Sequence, residues 1–319
     1  MTRMAPAARS VDGVLLLDKP VGITSHAAIQ CVKRLFSAAK AGHVGTLDPL
    51  ASGLLPVCLG EATKFSSSAF GADKRYDAEI LLGVTTTTGD TEGEVTSRGL
   101  VAVSRSQVES ALRQFTGAIA QTPPMYSALK RDGKRLYAYA RAGQTVAVEP
   151  RSITIHDIDL RGISSDRLQI SVHCSKGTYI RVLAEDIGRV LMCGATLAAL
   201  RRVAVGEFDV ARAVSLDRLE AIPAVERVAM LLPVDSLVSA LPEIMLEAAL
   251  VQRMVTGQAG RIERFIESGA VRLYDHDRRF LGLGEMQAGG RLVPKRLVST
   301  GVARAVDAPG FTTQVPKIA

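Results

Sequence analysis

The segment Gly42–Leu55 constrains this chain most, because it places one carboxylate, Asp48, among glycines and apolar residues. Pro49 disfavours helical backbone angles at the residue before it, and the glycines permit unusual turns or the close approach of a ligand. The apolar neighbours would desolvate the Asp48 carboxylate, which then needs a cation or hydrogen-bond donor from elsewhere in the chain to stay ionised. The segment predicts either a functional carboxylate in a stiff loop, or an Asx-turn or helix N-cap before a helix at 50–55.

The chain has 319 residues, 47 % of them hydrophobic, which is enough for about two domains with filled cores. Residues 1–10 contain no apolar run, and Val14–Leu17 is too short for a signal sequence or a membrane span. We therefore expect a cytoplasmic protein without a membrane contact.

The charged residues and the cysteines indicate which kinds of ligand and partner the chain can bind. The chain has 39 basic and 32 acidic residues and a net charge of +7, which favours a polyanionic partner but also fits a soluble protein with a basic bias. The cysteines lie in apolar contexts without any Cys-x-x-Cys pair, so we expect reduced, mostly buried thiols and no metal. They are Cys31, Cys58, Cys174 and Cys193.

Hydrophobic periodicity predicts a chain in which strands and helices are mixed. Ser25 is the expected N-cap of the first helix. The predicted strands are 13–18, 76–82 and 167–174, and the predicted helices are 25–36, 106–115 and 179–191. After a composition shift near 221–223 and 241–242, we expect a helix at 247–255, a hairpin at 271–285 and a strand at 292–298.

The segment Lys130–Gly143 begins as a basic turn and continues as a helix that interleaves Lys and Arg with two Tyr residues. This composition suits RNA contact, through phosphates and base stacking. A solvated helix with Tyr137 and Ala140 packed inward explains the same pattern.

Several segments, taken in order, resemble the TruB-type tRNA pseudouridine synthases. His43–Gly53 resembles the catalytic motif of that family, Gly13–His26 its first motif, and Lys74–Gly83 its base-stacking segment. Further matching segments are 88–95, 123–130, 176–181 and 200–202 before Gly206 and Phe208.

The resemblance implies an α+β fold, in which a mixed-sheet catalytic domain is followed by a small C-terminal β-rich domain. The catalytic domain is expected at 1–236, with an RNA-gripping insertion near 123–150. A PUA-like RNA-binding domain is expected at 237–305 and a flexible tail at 306–319. We expect a monomer.

The resemblance also assigns chemistry. Pseudouridine formation breaks the bond from uracil N1 to ribose and rejoins the base through C5, so it needs no cofactor and no metal. Asp48 is the implied catalytic carboxylate, as nucleophile or as base. Arg181 is the implied cation that keeps Asp48 ionised, and Asp90 holds Arg181 from its other side. Tyr179, two residues from Arg181, would share its face in an extended segment and would assist proton removal at C5.

The remaining implied residues bind the substrate. His43 lies near the displaced base, Tyr76 stacks on it, and Leu200 forms an apolar wall. Lys19 and Pro20 lie near the site, although Lys19 also suits a surface charge at the end of a strand. The expected phosphate contacts are Lys64, Lys130, Arg201 and Arg202. Without the resemblance, Tyr179 and Leu200 would be ordinary core residues.

The implied activity is isomerisation of uridine 55 in the T-arm stem-loop of tRNA, with the base flipped out of its stack. A guide-RNA-dependent relative is one alternative, but the segment around Asp90 and the basic segment Lys130–Gly143 favour a stand-alone enzyme. A catalytically idle RNA-binding module is another. Asp48 with Arg181 argues for chemistry, because a pure binder gains nothing from burying a carboxylate beside phosphates.

Overall fold

The computed structural model describes residues 11–69, 71–262 and 267–299, so the tail expected at 306–319 lies outside it. The strands are β1 (Gly13–Lys19), β2 (Ala41–His43), β3 (Ala51–Leu59), β4 (Lys74–Leu82), β5 (Val84–Thr86), β6 (Val95–Arg98), β7 (Gly117–Gln121), β8 (Lys130–Arg131), β9 (Lys134–Arg135), β10 (Arg151–Ser164), β11 (Arg167–Cys174), β12 (Ala195–Val205), β13 (Phe208–Asp209), β14 (Val214–Ser215), β15 (Glu243–Met245), β16 (Gly260–Arg261), β17 (Gly269–Tyr274), β18 (Phe280–Gln287) and β19 (Arg291–Leu297). The helices are α1 (Ser25–Leu35), α2 (Ser66–Ala69), α3 (Arg105–Gln114), α4 (Leu136–Arg141), α5 (Ile180–Val190), α6 (Leu216–Ala221) and α7 (Ala248–Val255). Short 3-10 turns span Gly60–Lys64, Val210–Arg212, Arg227–Met230, Val234–Val238 and Ala288–Gly290.

Among the described residues, the first two thirds of the chain form a ten-stranded mixed sheet with helices packed against it. Its main path runs β14-β1-β3-β12-β4-β11-β10-β7, with β2 and β13 paired to its flanks. Strand β12 is parallel to β3 and antiparallel to β4, so it lies between two strands that precede it by more than a hundred residues. The mixed strand directions confirm the α+β prediction.

Helices α1, α3 and α5 pack on one face of this sheet, because their apolar sides meet the alternating apolar residues of the strands. Buried residues of α1, α3 and α5 form one core with the inward residues of β4, β11 and β12. In β4, buried and more exposed residues alternate from Lys74 to Leu82, as the sequence pattern predicts for a half-buried strand.

Two local predictions from the sequence are wrong. The cap of α1 is Thr24, whose side chain accepts a hydrogen bond from the Ala27 N–H, whereas Ser25 lies inside the helix. Residues 50–55 do not form a helix, because the apolar run from Ala51 to Leu59 is strand β3, which pairs with β1 from Gly53 to Leu59. The helix N-cap interpretation of Asp48 is therefore excluded.

The C-terminal part forms a second sheet with the order β15-β17-β18-β19-β16. It has its own small core, and Leu283 and Phe280 also pack into the core beneath β1 and β3. This sheet confirms a β-rich C-terminal part, while the PUA-like classification and the boundary at 236/237 stay predictions.

Cys58, Cys174 and Cys193 are buried and Cys31 is partly buried; all four are free thiols. Within the described residues, no helix is long and apolar enough to cross a membrane.

Candidate active site

The backbone on both sides of Asp48 is fixed by hydrogen bonds from distant elements. The buried Ser25 hydroxyl accepts from the Leu47 N–H and donates to the Leu47 carbonyl, both at 2.8 Å. The Gly22 N–H donates to the Pro49 carbonyl at 2.8 Å. The loop between β2 and β3 is thus held rigidly, which agrees with the stiff loop predicted from the glycines and Pro49.

Arg181 connects two carboxylates at this loop. Its Nη2 lies 3.1 Å from Asp48 Oδ2, and its Nε lies 3.7 Å from Asp90 Oδ2. Arg181 also donates to the carbonyls of Thr88 at 2.9 Å and Tyr126 at 2.7 Å. Because these contacts come from three separate segments, the guanidinium plane is fixed, and the structure brings together the three residues that the sequence proposed as a network.

The two carboxylates differ in exposure. The side chain of Asp90 is 5 % exposed, and that of Asp48 is 44 % exposed. Asp90 is further held by the Thr88 hydroxyl at 2.5 Å and the Glu92 N–H at 3.1 Å. Asp90 is therefore a fixed support, whereas Asp48 is the end of the network that a substrate can reach.

The surroundings of Asp48 raise the pKa of its carboxyl. Desolvation raises the pKa of its carboxyl above the ordinary 3.8, Arg181 opposes that rise, and the Asp90 charge adds to it. Lys19 is fully buried and donates to the carbonyls of Pro20 and Ile23. Burial lowers the pKa of the Lys19 ammonium to about 8, and the charges of Asp48 and Glu92 oppose that change. Lys19 is therefore a buried group of the site and not a surface charge. Pro20, which follows it, is exposed.

Tyr179 precedes α5 as its N-cap residue, and Arg181 lies in the first turn of that helix. The extended segment assumed from their spacing is wrong, yet Arg181 and Asp48 both act electrostatically on the Tyr179 phenol. Gln121 fixes Tyr179 by exchanging two hydrogen bonds with its backbone N–H and carbonyl, at 2.8 and 3.1 Å. Burial raises the pKa of the phenol, which Ser127 and Arg181 partly oppose, so it stays protonated at neutral pH.

Arg202 departs most from its predicted role. The residue is 1 % exposed, so its guanidinium cannot serve as a surface phosphate contact. It donates to the carbonyls of Leu54 at 2.8 Å and Gly45 at 2.9 Å, and it hydrogen-bonds to the Tyr76 phenol. Arg202 therefore joins the Asp48 loop to the tyrosine expected to stack on the base.

Two glycines make this arrangement possible. Gly53 has φ +98°, and a Cβ there would lie 2.3 Å from the Arg202 carbonyl oxygen. Gly45 has φ +75°, and a Cβ there would lie 3.0 Å from Arg202 Nη1. These positions explain the glycines of the motif by close backbone approach to Arg202.

The other base-binding candidates surround this region. Tyr76 is 8 % exposed, Leu200 is partly buried and packs against the main core, and β12 pairs Leu200 with Ala51 and Ala78. His43 Nδ1 is buried without a hydrogen-bond partner, and desolvation with the Arg202 charge lowers the pKa of the imidazole.

Three family models match consecutive parts of the chain. The TruB family pseudouridylate synthase N-terminal domain matches 33–180, and the tRNA pseudouridylate synthase B C-terminal domain matches 181–239. The model described as pseudouridine synthase II TruB, C-terminal, matches 242–298. A protein named tRNA pseudouridine synthase B from Azoarcus sp. (strain BH72) is 54 % identical over 300 residues, which cover 94 % of this chain and 99 % of that relative.

The chain belongs to the TruB family of pseudouridine synthases. A relative with the same printed name from Burkholderia mallei (strain ATCC 23344) is 52 % identical and covered over its whole length. This TruB-family protein is therefore an enzyme, an isomerase of uridine in tRNA.

Solved structures support the fold of this TruB-family enzyme. An H/ACA RNP bound to a substrate RNA containing 2'-deoxyuridine matches with a TM-score of 0.68 and 22 % identity, over 92 % of this chain and 87 % of that chain. A Cbf5-Nop10-Gar1 complex matches with a TM-score of 0.65 and 26 % identity, over 87 % of this chain and 79 % of that chain.

The other basic residues expected to contact phosphates differ in whether their side chains are already bonded within the protein. Lys64 Nζ is 2.7 Å from Glu61 Oε2 and donates to the Leu297 carbonyl at 3.2 Å, so it ties the catalytic part to β19. Arg201 is engaged by both Asp18 oxygens, at 2.8 and 3.0 Å. Lys130 is exposed in the β8–β9 hairpin and stays a candidate phosphate contact.

Sequence reasoning missed several residues that position the site, namely Ser25 as a loop anchor, Gln121, and the carbonyls of Thr88 and Tyr126. A backbone carbonyl carries no sequence signal. Gln121 lies two residues before the Pro123–Lys130 motif and Tyr126 lies within it, and that position is the signal that could have found them.

Proposed function

We propose that the enzyme isomerises uridine 55 in the T arm of tRNA, and that Asp48 is its catalytic carboxylate. The observation that carries this proposal is the network of Asp48, Arg181 and Asp90. One carboxylate is open to a substrate, and a buried carboxylate and two carbonyls fix the cation that orients it.

The open position of Asp48 suits reaction at a ribose or a base that has left its stack. Chemistry on a base inside folded RNA requires the nucleotide to be flipped into the protein. In the proposed complex, Tyr76 stacks on the uracil, Leu200 forms an apolar wall beside it, and His43 lies near the displaced base. Asp48 then acts on the ribose as nucleophile or on the substrate as base.

Arg181 has two roles in this proposal. Its charge favours the ionised form of Asp48 against desolvation, and its fixed plane restricts the carboxylate to one orientation. Because the guanidinium is already bonded to Thr88 and Tyr126, it requires little reorganisation when the substrate enters.

Tyr179 is the proposed hydroxyl that faces uracil C5. A phenol with a raised pKa is a poor resting base, so it would accept the C5 proton only while passing its own proton to another acceptor. Asp48, whose charge acts on this phenol, is the proposed acceptor.

The basic hairpin at 130–135 and the helix after it support a stand-alone enzyme over a guide-dependent one. Lys134 lies 4.5 Å from the Tyr139 ring centroid, and Arg141 lies 5.5 Å from that of Tyr137. These cation-ring pairs place basic groups beside partly buried aromatic rings within one short segment, a combination that suits single-stranded RNA binding.

The test is tritium release from a T-arm stem-loop with 5-tritiated uridine at position 55, for the parent and for Asp48→Asn. Asp77→Asn is the matched control, because Asp77 is exposed on the opposite face of β4 from Tyr76. Release by parent and control but not by Asp48→Asn, with equal RNA binding, supports the proposal. Binding without release by the parent contradicts the proposal and indicates a different target site or the idle RNA-binding module.

A further inference from the structure

Two histidines and an aspartate meet at the surface of the large sheet, away from the active site. They are His156 in β10, His173 in β11 and Asp73 just before β4. Their candidate ligand atoms all lie within 4.8 Å of one another. His156 Nε2 is 3.0 Å from Asp73 Oδ2, and the two imidazole centroids are 4.6 Å apart.

A β-bulge produces this cluster. Ile155 pairs with Cys174 and Asp157 pairs with His173, so His156 is an extra residue in β10. In a bulge, two residues of one strand oppose a single residue of its partner, and the local change in direction re-aims a side chain. The bulge therefore places His156 and Asp157 together beside His173.

We propose that Asp73, His156 and His173 form a binding site for a divalent transition-metal ion of the zinc class. Two imidazoles and a carboxylate are a donor set that zinc uses, and three protein ligands leave a fourth position for water or another ligand. The side chains of Asp73 and His156 are 44 % and 37 % exposed, so an ion can enter from solvent.

The distances fit such a site after a small adjustment. With bonds of about 2.0–2.1 Å, tetrahedral ligand atoms lie ~3.4 Å apart. The Asp73–His156 separation is already within that limit. No separation exceeds 4.8 Å, so the widest must close by at most about 1.4 Å, a movement within the reach of a side-chain rotation of an accessible histidine. A plain His–Asp ion pair would explain the first contact but not the placement of His173.

Charged side chains of both signs surround the Asp73–His156–His173 cluster. Burial lowers the pKa of His173, Arg75 and His156 lower it further, and Asp73 and Asp157 oppose the change, so charges of both signs act on the cluster. His173 lies between the buried residues Val172 and Cys174 and so faces away from the core. Tyr76, which pairs with Val172, is buried on the core side of the sheet. Metal binding is thus separate from the proposed chemistry and is tested without an activity assay.

The test is calorimetric titration of the EDTA-stripped full chain with Zn²⁺, with Co²⁺ absorption to report the ligand geometry. We expect one saturable equivalent, weakened about 10-fold to 100-fold or more in His156→Ala and His173→Ala. Asp73→Asn, which keeps the side-chain shape, also weakens it. His276→Ala, at an exposed histidine in the turn between β17 and β18, leaves it unchanged.

Thermal unfolding without metal checks that each variant is folded, and Asp73→Asn remains as the conservative test if a histidine variant is not. Absence of saturable Zn²⁺ binding by the parent overturns the proposal. Equal Zn²⁺ affinity in the folded cluster variants also overturns it, because the ion would then bind other groups such as thiols.

Discussion

Replacing Arg181 with Met tests whether the active-site network is a buried electrostatic unit. The substitution leaves the Asp90 carboxylate, 5 % exposed, without its cation, and it removes the donor to the Thr88 carbonyl at 2.9 Å. Removing one partner of a buried ion pair costs about 3–5 kcal/mol, because the other charge stays desolvated. We therefore expect Arg181→Met to lower the free energy of unfolding by about 3–5 kcal/mol.

Asp90→Asn in the same chain removes the unpaired charge while keeping the side-chain shape. The double variant should recover about 2 kcal/mol of the loss, because an amide is far cheaper to bury than a carboxylate. Its activity should not recover, because Asp48 still has no guanidinium. Arg181→Lys separates charge from geometry, since an ammonium keeps Asp90 paired but cannot reproduce the fixed fork.

The assays are urea unfolding at equilibrium for the parent, both single variants and the double variant, and tritium release for all of these and for Arg181→Lys. Losing one fixed charged hydrogen bond of about 1.5–3 kcal/mol predicts a 10-fold to 100-fold lower rate for Arg181→Lys in a folded protein. The reasoning is refuted if Arg181→Met unfolds at the same urea concentration as the parent. Near-normal turnover of Arg181→Lys would refute the positioning role.

Three further predictions concern pH, the loop anchor and salt. The pKa of the Asp48 carboxyl is raised, and the proposed function uses its ionised form. Turnover should therefore be full above that pKa and should fall as the pH drops through it. A pH profile whose acid limb lies at or below 3.8 contradicts this prediction. Ser25→Ala should lower the free energy of unfolding by about 2 kcal/mol and slow turnover, because it orphans the buried Leu47 N–H and carbonyl; an unchanged urea midpoint would show that the anchor is dispensable. Lys130→Gln should reduce the slope of log RNA affinity against log salt by about one unit, whereas Lys64→Gln should not, since Lys64 is already bonded within the protein; equal slopes for the two variants would contradict the assignment.

The elements with strong alternation could be predicted from the sequence, and β4 and β11 lie where that pattern indicates. The run Leu50–Leu55 could not be assigned, because a short apolar segment fits a strand or a helix until its partner strand is known. Thr24 and Ser25 are both good N-caps, so one-residue register errors are expected.

The candidate site also contains residues that the sequence predicted and residues that it did not. Asp48, Arg181 and Asp90 were found through ordered motifs, and the structure brings them together. The burial of Arg202 was missed because β12 was not predicted. Successive residues of a strand point to opposite faces, so in a doublet of arginines one faces outward to Asp18 and the other inward to Gly45.

The position of β12 has a consequence for how the protein is made. Residues 51–59 and 74–82 leave the ribosome well before residues 195–205, yet β12 must pair between them to complete the sheet. Until then β3 and β4 each present an unpaired edge, and the Asp48 loop lacks Arg202, which lies in β12. The nascent chain therefore carries the Asp48 motif for most of its synthesis before the sheet around it can close, and contacts between residues this far apart in sequence are costly to form early in folding. The Asp48 loop therefore reaches its final surroundings only after the middle of the sheet is complete.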